Sequence, residues 1–205
     1  RGGGSYSSTK KWEDFGSLKT EFRVFGDYNK SINFNNGVQY SSKITSISPN
    51  IGFDFSWDEV VTIRPSYTVS FSKNTYDIES FSNRNFTNHD VTVATSTNFF
   101  KKVEWLNDVN YNYNPNIAAG FQRSAWFWNT TLRYSILNDN GAISLRIYDI
   151  LDQNTNARRV ATEDYIQDSS STVLNQYAML SFTWKFNSLG NAGSKFEPQS
   201  RSRHN

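Results

Sequence analysis

The chain has 205 residues, of which 37% are hydrophobic and 20% are charged, with a formal net charge of +2. The balance of 21 Lys and Arg against 19 Asp and Glu argues against a basic nucleic-acid binder, so no nucleic acid is expected as a partner. No segment approaches the roughly 18 consecutive apolar residues of a membrane helix, and the absence of cysteine excludes disulfides and thiolate chemistry.

Apolar and polar residues alternate with period two in eight segments, which predicts an all-β fold of about eight antiparallel strands. In chain order, the predicted strands cover residues 18–27, 46–55, 61–71, 91–99, 103–114, 126–136, 143–148 and 174–186. Two of them contain a proline, Pro49 or Pro65. Because proline removes a ladder donor and usually marks an edge or a bulge, we expect local bulges at both positions.

Alternation alone also fits a soluble β-sandwich, but strand and loop lengths favour a membrane barrel. Most predicted strands have about 10–13 residues, close to the roughly 9–11 with which a tilted strand crosses a bilayer. Short turns alternate with long polar loops, as they do between the periplasmic and outer sides of such barrels. The short turns are 57–59, 101–102 and 138–141, and the long loops are 28–44, 74–89, 115–125 and 152–172.

The charged side chains avoid one side of every predicted strand. No apolar side of the eight strands carries a charge, and a lipid-facing charge near mid-membrane costs roughly 2–4 kcal/mol. Six charged residues on the opposite sides are therefore predicted to face a water-filled lumen, unless they are simply solvated or bonded to neighbouring polar groups. These candidates are Arg23, Asp54, Arg64, Asp108, Arg133 and Arg146.

Aromatic residues, 16% of the chain, concentrate near the predicted strand ends. Such belts are typical of the two membrane–water interfaces of a barrel. The predicted interface residues are Trp57, Trp105, Trp184 and Phe186 on the short-turn side, and Trp126 and Trp128 on the long-loop side.

The sequence carries no pattern that indicates an enzyme, a cofactor or a metal site. The two histidines, His89 and His204, have no partner at metal-ligand spacing, and neither a nucleophile elbow nor a phosphate-binding glycine loop is present. We therefore expect no catalytic residues, no cofactor and no bound metal.

The last 80 residues resemble a known family. The strand exit "YDILDQN", the elements "RRV" and "YI-D" that follow it, and the closing "Y-MLSFTWKF" are similar to the C-terminal part of the Bacteroidota outer membrane β-barrel family related to TonB-dependent receptors. The resemblance implies an antiparallel up-and-down transmembrane β-barrel segment that is part of a larger barrel, in the outer membrane of a Gram-negative bacterium.

What the resemblance implies for function is the barrel wall of a transporter for nutrient uptake. Its partners would be the lipid bilayer, the remaining barrel strands, a plug domain, a TonB complex and a surface lipoprotein. Within this chain, residues 1–16 would end a preceding strand or turn, 17–186 would form the barrel strands, and 187–205 a polar tail. Because the inward sides are rich in small Ser, Asn and Thr, which suit a wide lumen better than a small filled barrel, the first and last predicted strands are expected not to pair with each other.

Two other functions fit the same pattern. One is a structural or secretion-associated outer-membrane barrel that binds surface partners through its long loops. The other is a soluble, aromatic-rich β-module that binds glycans.

Overall fold

The computed structural model describes residues 1–13, 15–116, 123–153, 157–161, 166–170 and 176–185. Within these ranges the chain forms two antiparallel sheets. The strands of the main sheet are β1 (Gly2–Trp12), β2 (Gly16–Asn35), β3 (Val38–Trp57), β4 (Val61–Tyr76), β5 (Arg84–Phe99), β6 (Val103–Tyr113), β7 (Ser124–Ile136), β8 (Gly141–Tyr148) and β11 (Tyr177–Trp184). The second sheet pairs β9 (Ala157–Ala161) with β10 (Ile166–Ser170).

None of the described segments is a helix with the length and apolarity needed to cross a membrane.

The main sheet runs up and down, with each strand beside its neighbour in the chain and β11 beside β8. The all-β antiparallel prediction is confirmed, with nine strands in this sheet rather than eight. Among the described residues, β1 and β11 are its two edges and do not pair with each other. The segment 18–24 also does not pair with β11, so the predicted separation of the first and last strands is confirmed.

The strand β1 was not predicted as a separate element. Its sequence, Gly-rich and then mostly Ser, Thr and Lys, has low strand propensity and no apolar alternation. All of its residues are exposed, yet every one from Gly2 to Trp12 is paired with β2. Pairing with a strong neighbouring strand, rather than its own residues, makes this segment a strand.

The long loop predicted at 28–44 is wrong. Here β2 and β3 extend to 20 residues each and meet at a tight turn. Asn36 and Gly37 have φ angles of 50° and 81°, the left-handed pair that a type I′ hairpin turn requires and that Asn-Gly favours. Similarly, the loop predicted at 74–89 shrinks to 77–83, and the one at 152–172 contains β9 and β10. The short turns are confirmed.

The expected bulges at the two prolines are also wrong. Pairing between β3 and β4 keeps one register from Ser42↔Tyr76 to Trp57↔Val61, without an extra residue on either strand. Ladder pairs are missing only beside Pro49 and Pro65, where no N–H can be donated. Across the first gap the Ser48 hydroxyl donates to the Ser70 hydroxyl at 3.0 Å.

The register extends the alternation of single strands into two continuous faces. One row crosses six strands from β2 to β7 and is apolar at every position: Phe22, Ile51, Tyr67, Val91, Tyr111 and Trp126. The next row lies on the opposite face and is mostly polar: Glu21, Gly52, Ser66, Thr92, Asn110 and Phe127. We call these the apolar face and the polar face.

The sheet has almost no interior of its own. Among the described side chains, the buried apolar residues are Tyr40 and Ala142. Large residues of the apolar face stay exposed, for example Phe22 at 45% and Leu132 at 48%. An apolar surface of this extent requires cover, because contiguous exposed patches of this kind mark interaction sites.

Candidate functional site

Three of the six predicted lumen residues lie together on the polar face of β2, β3 and β4. Arg64 Nε donates to Asp54 Oδ2 at 2.9 Å, and Arg23 NH2 lies 2.7 Å from Glu21 Oε2. With Lys19, 3.8 Å from the same Glu21 oxygen, they line a concavity of about 540 Å³. Both carboxylates of this concavity are therefore paired with cations.

The other three predicted lumen residues lie on the polar face of β6, β7 and β8. Arg133 NH1 is 3.8 Å from Glu104 Oε2, directly across the β6–β7 pair. Arg146 makes hydrogen bonds only to neutral groups in the described part of the chain, Thr131 and Tyr148. Asp108 sits opposite Ala94 and Asn129 in the register. The six residues thus share one face: Arg23, Asp54 and Arg64 line one concavity, Arg133 and Arg146 line another, and Asp108 lines neither.

The predicted interface aromatics lie on the apolar face at opposite ends of the strands. Trp57, Trp105 and Trp184 lie toward the short turns, with 41–50% of each residue exposed. Trp126 and Trp128 lie near the start of β7, toward the long connections. Phe186 and the tail 187–205 lie outside the described residues, so those predictions stay predictions.

The sequence pattern missed three further large aromatic residues at the short-turn edge. These are Trp12 and Phe15, on either side of the β1–β2 turn, and Phe100, which is 94% exposed at the β5–β6 turn. Phe15 lies 5.7 Å from the Phe55 ring. Both turns lie next to short-turn aromatics that were predicted, so recognising β1 as a strand would have predicted the first two.

Polar side chains on the apolar face form a network centred on Asn107. Its Nδ2 donates to Thr95 Oγ1 at 3.2 Å, and its Oδ1 accepts from Thr130 Oγ1 at 2.8 Å and from Trp128 Nε1 at 3.2 Å. Trp105 Nε1 in turn donates to Thr130 Oγ1 at 2.8 Å. Asn107 is 9% exposed. The polar groups of this network are therefore satisfied within the protein, as buried polar groups require.

Side chains of the motif "YDILDQ" form hydrogen bonds at the ends of β7, β8 and β11. Asp149 follows β8 with a φ of 49° and is buried, and its Oδ1 accepts the Gln153 amide at 3.2 Å. Gln153 Oε1 accepts the Trp126 amide of β7, and Asp152 Oδ1 accepts the Gln176 amide next to β11. These side chains allow β11 to return beside β8 after the long connection.

The β4–β5 connection folds onto the polar face at the end away from the short turns. Tyr40, 2% exposed, has its ring 5.2 Å from that of Phe81. Ser41 donates to Asp77 twice, from Oγ at 2.5 Å and from its backbone N at 2.6 Å. These two bonds hold the pKa of the Asp77 carboxyl below its usual range, and the bond from the Ser41 hydroxyl has the larger effect.

No group of three or more His, Asp or Glu able to hold a metal is found among the described residues. His89 lies on the apolar face, where its Nδ1 is 2.7 Å from the Tyr67 hydroxyl and its ring lies near those of Tyr67 and Tyr113. His204 lies outside the described residues.

Residues 9–184 match the model of the outer membrane protein beta-barrel family. The chain belongs to this family. Neither the curated proteins nor the solved structures contain a match. Membership of the outer membrane beta-barrel family confirms the predicted fold and assigns the chain to the outer membrane. It also excludes the soluble glycan-binding module as an alternative.

Proposed function

We propose that this chain is part of the wall of a larger, TonB-dependent-receptor-like outer-membrane barrel that takes up a nutrient. The observation that carries the proposal is the open sheet, whose edges β1 and β11 each have one partner strand among the described residues. Unpaired backbone groups are not tolerated in hydrocarbon. Further strands of the parent protein therefore have to cover both edges.

The composition of the polar face supports a wide lumen. In small closed barrels side chains fill the interior, whereas this face carries mainly Ser, Thr and Asn between its charged residues. We propose that Arg23, Asp54, Arg64, Asp108, Arg133 and Arg146 face water in that lumen. The predicted interface aromatics, from Trp57 to Phe186, anchor the wall at the two membrane surfaces.

In this proposal the wall itself performs no covalent chemistry and uses no cofactor. A plug domain would close the lumen, a TonB complex would supply energy through the plug, and a surface lipoprotein would cooperate on the outer side. These partners belong to the transporter proposal and stand or fall with it.

The proposal is tested by solute depletion from a defined growth medium. Two strains are compared with the parent, one lacking the gene for this protein and one lacking the energy-transducing TonB protein. We expect at least one solute to be left in the medium by both mutant strains. If the strain without this protein consumes every solute at the parental rate, the transporter proposal is wrong.

One observation favours a second candidate, a barrel that binds surface partners. The β2–β3 hairpin extends beyond its neighbours and exposes Ile32, Phe34 and Val38 at 57–68%. Replacing residues 30–43 by Asn-Gly keeps the register, since Asn29 already pairs with Ile44. Uptake should be unaffected by this deletion in either case. Loss of a bound surface partner would support the second candidate.

A further inference from the structure

The polar face has a second concavity, of about 720 Å³, between β6 and β11. Three of its lining residues are cationic: Arg133, Arg146 and Lys185. None of its described lining residues is an Asp or a Glu. The remaining lining is neutral and contains several hydroxyl groups: Leu106, Thr131, Ser144, Met179, Ser181 and Thr183.

The first concavity, on β2–β4, is the natural comparison. It also has three cations, Lys19, Arg23 and Arg64, but Glu21 and Asp54 line it as well. Arg23 and Arg64 approach those carboxylates to 2.7 and 2.9 Å. The same face of one sheet thus carries one concavity whose charges are paired internally and one whose positive charge is not.

Arg146 in the second concavity is held in place by neutral groups. Its Nε donates to Thr131 Oγ1 and its NH1 to the Tyr148 hydroxyl, both at 3.0 Å. The guanidinium also lies 5.2 Å from the centre of the Tyr148 ring. A guanidinium has five N–H donors, so these two bonds fix its orientation and leave three donors for another partner. Preorganisation of this kind lowers the entropic cost of binding.

The other two cations reinforce the positive charge of this concavity. Thr131 pairs with Arg146 and Arg133 with Ser144, so the two arginines are diagonal neighbours, with Cα atoms about 7–8 Å apart. The Arg133–Glu104 contact of 3.8 Å joins side chains that are 43% and 32% exposed, and pairs of this kind contribute little. Even with Glu104 counted, the three cations leave two positive charges.

We infer that the second concavity binds a solute carrying a phosphate or carboxylate group as the solute moves along the wall, an inference that rests on the proposed transport function. Arg146 would donate to two oxygens of the oxyanion in the planar geometry that guanidinium groups favour. Arg133 and Lys185 would attract the anion, and the hydroxyls of Ser144, Ser181 and Thr183 would donate to its remaining oxygens.

The test measures binding of pyrophosphate to the full-length protein in detergent by isothermal titration calorimetry at low ionic strength. We expect saturable binding that Arg146→Gln weakens roughly tenfold to hundredfold, the loss expected for hydrogen bonds to a charged group. Arg146→Lys keeps the charge but loses the planar donor pair, and is expected to lie between the two. Arg64→Gln, in the first concavity, is the matched control and should change the affinity less than twofold.

Three results would overturn the inference. Wild-type protein without saturable binding removes the site, and equal weakening by Arg146→Gln and Arg64→Gln shows only diffuse attraction. If Arg146→Gln instead leaves pyrophosphate binding intact and makes the plug more sensitive to protease, the arginine pairs with plug carboxylates. Because binding in detergent needs no transport, this test can fail while solute depletion succeeds, and the reverse.

Discussion

Asn107 and Arg64 show how differently the two faces of this sheet satisfy polar side chains. Asn107 on the apolar face is 9% exposed and bonds to Thr95, Thr130 and Trp128. Arg64 on the polar face has a side chain 61% exposed and one carboxylate partner, Asp54. In the proposed orientation, a group on the apolar face meets lipid and has no water as a partner, whereas a group on the polar face is hydrated. A polar side chain on the apolar face therefore depends on partners within the protein, whereas one on the polar face does not.

The largest effect is expected when an arginine is placed on either face of the sheet, at two neighbouring positions of β5. Val93 lies on the apolar face between Pro65 and Val109, and Ala94 lies on the polar face opposite Asp108. We expect Val93→Arg to lower the free energy of unfolding by about 2–4 kcal/mol, as for a cation at mid-membrane. Ala94→Arg should cost much less, because Asp108 on one side offsets Arg64 on the other and the proposed lumen hydrates the new charge.

The measurement is urea unfolding of the full-length protein in lipid vesicles. Equal destabilisation by the two substitutions would contradict the assignment of one face to lipid and the other to water.

A smaller effect is expected when the polar network of the apolar face is cut. Asn107→Ala leaves the Trp128 N–H and the Thr95 and Thr130 hydroxyls without their amide partner, at about 1–3 kcal/mol for a buried group left unpaired. Asn110→Ala is the control, since Asn110 lies on the same strand but on the polar face, and should stay within about 0.5 kcal/mol of wild type. The same unfolding experiment measures both, and a control as costly as Asn107→Ala would refute the prediction.

The smallest effect is expected for the exposed contact between Ser41 and Asp77. The hydrogen bonds from Ser41 lower the pKa of Asp77. The ionised carboxylate therefore stabilises this contact at pH values above the ordinary carboxyl pKa. That stabilisation is lost as the pH falls through the lowered value. The Ser41 amide resonance, followed by NMR, should titrate below the usual range for aspartate.

Asp77→Asn is the matched control for this titration. Its side chain still offers an oxygen to Ser41 but carries no titratable group, so the acid transition of the Ser41 amide should disappear. A transition that persists in this variant would show that another group controls the contact.

Local patterns predicted much of this fold. The alternation from Ile47 to Phe55 or from Trp126 to Ile136 needs no distant partner to be recognised, because side chains of a strand point to opposite faces in turn. The small number of residues between adjacent predicted strands likewise predicted the short turns. The type I′ turn at Asn36–Gly37 is also a local signal, since Asn-Gly is its preferred sequence. The polar residues around it nevertheless predict a long loop.

Other features depended on residues far apart in the chain. The strand β1 exists through pairing with β2, and the continuous register past Pro49 and Pro65 depends on neighbours on both sides. The alternation alone put Asn107 on the wrong face for a polar residue. Only the approach of Thr130, 23 positions along the chain, shows how its amide is satisfied.

By itself, the sequence determined that long strands would have one apolar and one polar face and where the short turns would lie. It did so because a period of two and a turn are properties of adjacent residues. The tertiary structure decided the strand order, the length of the β2–β3 hairpin and the pairing of each charge. Arg64 donates to Asp54, and Arg146 donates to the hydroxyls of Thr131 and Tyr148, because register sets which side chains lie opposite each other.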